Sequence, residues 1–312
     1  MTKTNLTVVI HTEEEFDWEK GFFRENNKVN HGEELVRFAE QILATGVRLV
    51  LAMDYAFVES LQGTAVIEHF QKTMPQNFEF ATHLHPWVNP PFDEPSIDGN
   101  EIDEFYSYPG NLNSELEEAK LVRLTEFIEE KAGVRPTTYL AGRYGIGKNT
   151  YKTLRKLGYT LDVSISAFAD FSHQKGPNFS AFNNSETQFK GVKCIPHTTG
   201  YVSRVPAFSN FLNMESKNLH RLNNNIFGKA LLKLLGVKRV RLSPEGFSFK
   251  NMKKLIVSLS EIGVKEFIFS FHSPSVKQGL TPYVMSPKSA KMLKSETIKF
   301  LHFYNETNKR AL

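Results

Sequence analysis

The sequence predicts a distorted parallel α/β barrel of seven or eight strands, and three observations carry that expectation. Short β-rich runs alternate with longer helical patterns along most of the chain, the arrangement of a parallel sheet wrapped by helices. The runs number seven or eight, which is a barrel count. The length, 312 residues, exceeds the usual domain, yet barrels of alternating strands and helices routinely use it as one.

The first apolar run covers residues 6–12. Residues 33–44 then place Leu35, Val36, Phe38, Ala39, Ile42 and Leu43 on one helical face, and Gly46 stops the helix. A strand is expected at 47–52, a helix at 57–71, a strand at 78–82 and a helix at 114–131 that closes at Gly133. Further strands are expected at 137–141, 160–165, 192–195, 239–242 and 266–271, with helices at 149–156, 249–262 and 289–304. Residues 87–110 leave directly from a strand end and are rich in Pro, Asp and aromatic side chains, so they predict a loop that borders a site. Residues 167–225, rich in Asn, Ser and Phe with weak periodicity, read as an irregular insertion within a single domain spanning 1–312.

Charge and cysteine usage narrow the function classes. The formal charge is +4, and the small cluster of Lys233, Lys238, Arg239 and Arg241 reads as a solvated face, so nucleic acid is not an expected partner. Cys194 is the only cysteine, which rules out an internal disulfide. The N-terminal apolar stretch is too short for a signal peptide and no run approaches a membrane span, so a cytoplasmic protein is expected. Oligomeric state has no signature here.

Catalytic groups of such barrels sit at the C-terminal ends of strands, so the informative positions are apolar runs that end in polar residues. The first run ends in His11-Thr-Glu-Glu-Glu15, where alternation sends His11 and Glu13 to the same face. The third ends in His83-Leu-His85, a spacing that lets two imidazoles meet one metal ion. Trp87 beside them suggests a sugar-stacking platform or a core residue. Arg143 lies between Gly142 and Gly145, placed to pair with a carboxylate in the barrel mouth. Asp162 interrupts the next strand, and His272 ends the last one, where an imidazole suits general acid work.

The order and wording of these segments resemble the polysaccharide deacetylases, the NodB-homology or carbohydrate esterase family four group, and most closely its WalW-like branch. Six segments in order carry the resemblance: 13–18 (EEEFDW), 83–91 (HLHPWVNPP), 141–145 (AGRYG), 176–180 (GPNFS), 241–246 (RLSPEG), and 270–275 (SFHSPS) with 281–284 (TPYV). The resemblance implies a NodB-like barrel holding one divalent metal ion, zinc foremost, on Glu13, His83 and His85. It implies His11 as the base where much of the family has aspartate, and Arg143 as the residue that positions the base. It implies Asp162 as the acid orienting the final histidine, and His272 as the general acid. Trp87, Tyr144 and Tyr283, within these segments, are expected to line the sugar site. The implied reaction is hydrolysis of an N-acetyl or other acyl group from a carbohydrate. A different metal-dependent amidohydrolase is the weaker enzymatic reading, because in those barrels the His-x-His pair closes the first strand. A catalytically silent sugar-binding or scaffold protein on the same barrel is the alternative, and His11 in the base position is the feature that favours it.

Overall fold

Alternate residues of the first strand feed two different cores. Val8 and Ile10 pack outward with the helix layer, while Val9 packs inward with Val50, Ala52, Ala81, Leu140, Val163 and Ile268. Burial on both faces is what a parallel strand between helices and a closed interior requires. The computed structural model describes residues 3–309. Its strands are β1 (Asn5–Thr12), β2 (Phe22–Phe23), β3 (Arg48–Met53), β4 (Phe78–Leu84), β5 (Glu101–Ile102), β6 (Thr138–Ala141), β7 (Leu161–Asp162), β8 (Thr187–Phe189), β9 (Val192–Cys194), β10 (Thr199–Val202), β11 (Lys238–Arg241) and β12 (Glu266–His272).

The main sheet has eight strands in the order β12-β1-β3-β4-β6-β7-β9-β8. Every neighbouring pair is parallel except β8 with β9. The sheet curls into a distorted barrel, as predicted. Its open side is spanned by single bonds rather than a ladder: Leu242 N donates to Thr198 O at 2.8 Å, and Ser270 N of β12 donates to Leu242 O at 3.1 Å.

Helix termini follow local chemistry. In Gly32–Leu43, Leu35, Phe38, Ala39 and Ile42 form the buried face, the spacing of an amphipathic helix. Asn113 caps Ser114–Ala132 by accepting from Leu116 N at 2.8 Å, and Gly133 ends it at φ 67.

Three expectations change. The strand expected at 239–242 pairs antiparallel with β10 outside the main sheet. The strand expected at 160–165 keeps only Leu161–Asp162 in the ladder. The stretch 167–225, expected to be irregular, contains β8, β9, β10 and the helices Pro206–Met214 and Lys217–Asn223. Apolar side chains of the two helices pack with Tyr201 of β10 in a small separate cluster around Phe168, Tyr201, Leu212 and Leu232, while Val192 and Cys194 of β9 join the main cores. Such short helices show little periodicity of their own, which is why the pattern misled.

One buried carboxyl makes stability depend on pH. Glu117, in the helix capped by Asn113, accepts a hydrogen bond from Thr150 Oγ1. Burial pushes its pKa from 4.5 up to about 7, against that bond. A folded pKa above the unfolded one means the folded state holds the proton more tightly, so stability is lost as pH rises through about 7. The shift is worth on the order of 3 kcal/mol at most. Glu117→Gln is expected to raise the thermal midpoint by several degrees at pH 8.5 and to change it little near pH 5. An equal shift at both pH values would reject this account.

Candidate active site

Period-two alternation aims the site. Val9, Ala81 and Ile268 face the barrel interior, so His11, His83, His85 and His272, an even number of residues further on, face it too. All four lie at or just beyond the C-terminal ends of β1, β4 and β12.

The histidines of β4 meet one carboxylate. Glu13 Oε2 lies 3.2 Å from His83 Nε2 and 3.5 Å from His85 Nε2. His83 Nδ1 lies 3.0 Å from the carbonyl of Leu140, which can only accept, so the ring proton sits on Nδ1. Burial, then the neighbouring His85, holds His83 below its ordinary pKa and neutral. Its Nε2 therefore presents a lone pair to a buried carboxylate, a contact that repels unless a cation lies between them. Donor atoms 3.2 to 3.5 Å apart suit a tetrahedral ion with bonds of about 2.0–2.2 Å. His11 and Glu13 also group with His83, their ligand atoms all within 4.8 Å.

His85 is held from behind. Its Nδ1 donates to Glu14 Oε2 at 2.9 Å and lies 3.4 Å from Asp54 Oδ2. Trp87 Nε1 donates to Glu14 Oε1 at 2.9 Å, and its ring stacks on His85 at 4.2 Å. Burial opposes charge on His85, yet Glu14 and Asp54 raise its pKa well above the ordinary value. Burial, then Glu14, pushes Asp54 up to about 7. Glu14, Asp54 and His85 could also hold an ion as a group. Their carboxylates, however, already accept from Trp87, Glu14 N and Phe57 N, so they act here as the fixed outer support of His85. Gly142 makes this packing possible: a Cβ there would stand 2.3 Å from Leu84 O and 2.6 Å from His85 Cδ2.

Across the mouth stand two histidines in opposite protonation states. His197 Nδ1 donates to Val163 O at 2.5 Å, leaving its Nε2 to accept from His11 Nε2 at 3.2 Å. Burial, then Arg241, depresses His197 to about 3. Burial, then His272 and His83, holds His11 well below its ordinary value, so His11 is neutral with its Nδ1 lone pair available. His272 behaves in the opposite way. Burial works against its charge, but Glu245, whose Oε2 lies 2.8 Å from Nδ1, raises it to about 9. The rings of His11 and His272 are 4.7 Å apart.

Several expected residues stand elsewhere. Asp162 does not reach His272: Val163 faces the interior, so Asp162 faces the helix layer, where Tyr151 donates to it at 3.0 Å. The acid on His272 is Glu245. Arg143 does not orient His11. It sits at φ 54, in a turn that carries its guanidinium out to Ser107, Glu104 and Gln174 and over the Tyr108 ring. The cation that faces the site is Arg241, which donates to Tyr144 Oη at 2.9 Å and Ser166 Oγ at 3.3 Å. Trp87 is buried beneath His85 and offers no open platform. Tyr144 is a buried wall, edge-on to His11 and His197. Tyr283 is 42% exposed and parallel to the His272 ring at 6.1 Å. Trp18, 43% exposed, stands edge-on to both.

Sequence reasoning missed His197, Glu245, Arg241 and Trp18 as site residues. His197 had a visible signal, a polar residue just beyond an apolar run, and the other three lie in segments already quoted for the resemblance.

No family model matches this chain, and no curated protein matches it. Solved structures do. A candidate glycoside hydrolase/deacetylase from Parabacteroides distasonis aligns at TM-score 0.51 and 9% identity, over 98% of this chain and 68% of the other. A 4-alpha-glucanotransferase from Thermococcus litoralis aligns at TM-score 0.51 and 11% identity over 97% of this chain, which spans 38% of that protein. A candidate polysaccharide deacetylase from Mycobacterium smegmatis aligns at TM-score 0.46 and 13% identity, over 100% and 91%. The two matches at 0.51 show a shared fold.

Proposed function

We propose that the chain is a metal-dependent hydrolase that removes an acyl group, N-acetyl foremost, from a carbohydrate. The observation that carries this reading is the convergence of His83 Nε2 and His85 Nε2 on one oxygen of Glu13, with each outer ring nitrogen already committed to another partner. Glu13, His83 and His85 would hold a divalent ion, and their mixed nitrogen and oxygen donors suit zinc. When bound, that ion supplies polarisation of the acyl carbonyl and a more acidic water.

The chain's own residues supply the proton traffic. His11, neutral and fixed in its tautomer by His197, accepts the proton of the attacking water at Nδ1. His272, protonated beside Glu245, donates from Nε2 to the departing amine. Two titratable groups whose environments push their pKa values apart are the physical mark of an acid and base pair. Carboxylate and free amino sugar are the products. Tyr283 and Trp18, exposed beside His272, form the aromatic surface for a sugar ring.

A carbohydrate substrate is supported by the fold shared with a candidate glycoside hydrolase/deacetylase from Parabacteroides distasonis and a 4-alpha-glucanotransferase from Thermococcus litoralis. The six quoted segments favour the polysaccharide deacetylases among such folds, and their WalW-like branch within that family. The test is metal analysis of the purified protein, with acetate release from N-acetylated oligosaccharides and nucleotide sugars measured with and without chelator. Stoichiometric metal and chelator-sensitive acetate support the proposal. Absence of both after zinc loading rejects it and favours the silent sugar-binding reading.

A further inference from the structure

The helix Ile226–Leu234 buries two of its nine residues, Gly228 and Leu232. At about 100° per residue those two mark one narrow face. Ile226, Phe227, Ala230, Leu231 and Leu234 occupy the other side of the helix, and all are exposed. Phe227 is 84% exposed, Ile226 77% and Leu234 69%. Single exposed apolar residues need no explanation, whereas a contiguous arc of five on one short helix does. Lys229 and Lys233 project from the edge between the buried face and this arc.

The surrounding charge is one-sided. Residues 204–241 hold eight Lys and Arg and one acidic residue, Glu215, a net charge of +7 in a chain whose total is +4. Among the described residues, Arg204, Arg221, Lys229, Lys233 and Lys238 form no ion pair. The neighbouring helix Pro206–Met214 adds exposed Phe211 and Met214. No helix of the described residues is long and apolar enough to cross a membrane.

We propose that segment 204–241 docks on an anionic lipid surface. Phe227, Ile226 and Leu234 enter the boundary between headgroups and acyl chains, and Lys229, Lys233 and Arg221 reach the lipid phosphates. An exposed apolar arc with lysines at its edge is the pattern of a helix lying in the interfacial plane. A second copy of the chain is a poorer occupant, since a twofold contact would set this basic segment against itself. Nucleic acid would use the cations but leave the apolar arc in water.

The test is co-sedimentation of the full chain with phosphatidylcholine vesicles, with and without about 30% phosphatidylglycerol. Wild type is expected to bind the anionic vesicles about tenfold or more tightly than the neutral ones, and less tightly as salt rises. The double change Ile226→Ser with Phe227→Ser is expected to reduce that binding about tenfold or more. Its melting temperature is expected to match wild type, because both side chains are exposed. Phe227→Trp, which keeps the apolar bulk, is expected to retain binding and to add blue-shifted emission on vesicles over the wild-type signal. The proposal fails if wild type ignores anionic vesicles, or if the double serine variant binds as well as wild type. It also fails if Phe227→Trp binds without a blue shift, or if the serine changes abolish only self-association or only binding to duplex DNA.

Discussion

Glu13→Gln is expected to strip the protein of divalent metal and of turnover together. The carboxylate is the one anion on which His83 Nε2 and His85 Nε2 converge. An amide in its place removes the charge that balances the ion and can present its NH2 group to those nitrogens. The polarisation lost is worth several kcal/mol, which corresponds to about a thousandfold or more in rate. Glu14→Gln should behave differently, because the Glu14 carboxylate meets Trp87 Nε1 and the far nitrogen of His85, not the nitrogens that face Glu13. Loss of such an outer partner costs about 10–100-fold in metal affinity, so excess zinc should restore most of its activity. Metal content by elemental analysis and acetate release across a zinc titration separate the two. Full metal occupancy in the Glu13 variant would remove it from the ligand set. Equal and unrescued losses in both would move the ion toward Glu14 and Asp54.

The contrast between these neighbours shows what the sequence can and cannot specify. Strand period put His11 with Glu13 and His83 with His85 on common faces, and in the structure Glu13 meets both histidines of β4, because alternation is a property of the chain itself. Helix faces such as Leu35, Phe38 and Ile42 followed the same logic. Asp162 failed for a related reason: the next residue, Val163, faces inward, so the acid faces out. That parity is readable only when the true strand end is known, and β7 is two residues long. Arg143 failed because consecutive positive φ values at Arg143 and Tyr144 reverse the chain there, and no residue type announces that turn. Glu245 serves His272 across 27 positions, a pairing set by tertiary packing alone.

Glu245→Gln is expected to move the alkaline limb of kcat/KM toward neutral pH. In the wild-type protein His272 holds its proton up to about 9, so activity that needs imidazolium falls as pH rises through that value. Burial alone would depress His272, and the Glu245 carboxylate overcomes it. Glutamine keeps an acceptor for Nδ1 but removes the charge, and loss of such a neighbour shifts a pKa by about 1–3 units. The limb should therefore arrive between roughly pH 6 and 8, giving a large loss at pH 8.5 that is mostly recovered near pH 6. His272→Asn should instead cost about 10²–10⁴-fold across the range and abolish the limb. The acid limb, governed by His11, lies well below 6.5, and the two limbs are macroscopic values of a coupled pair. A Glu245→Gln enzyme slowed equally at every pH would mean that Glu245 orients His272 without setting its charge. The mechanism would then lose its protonated acid.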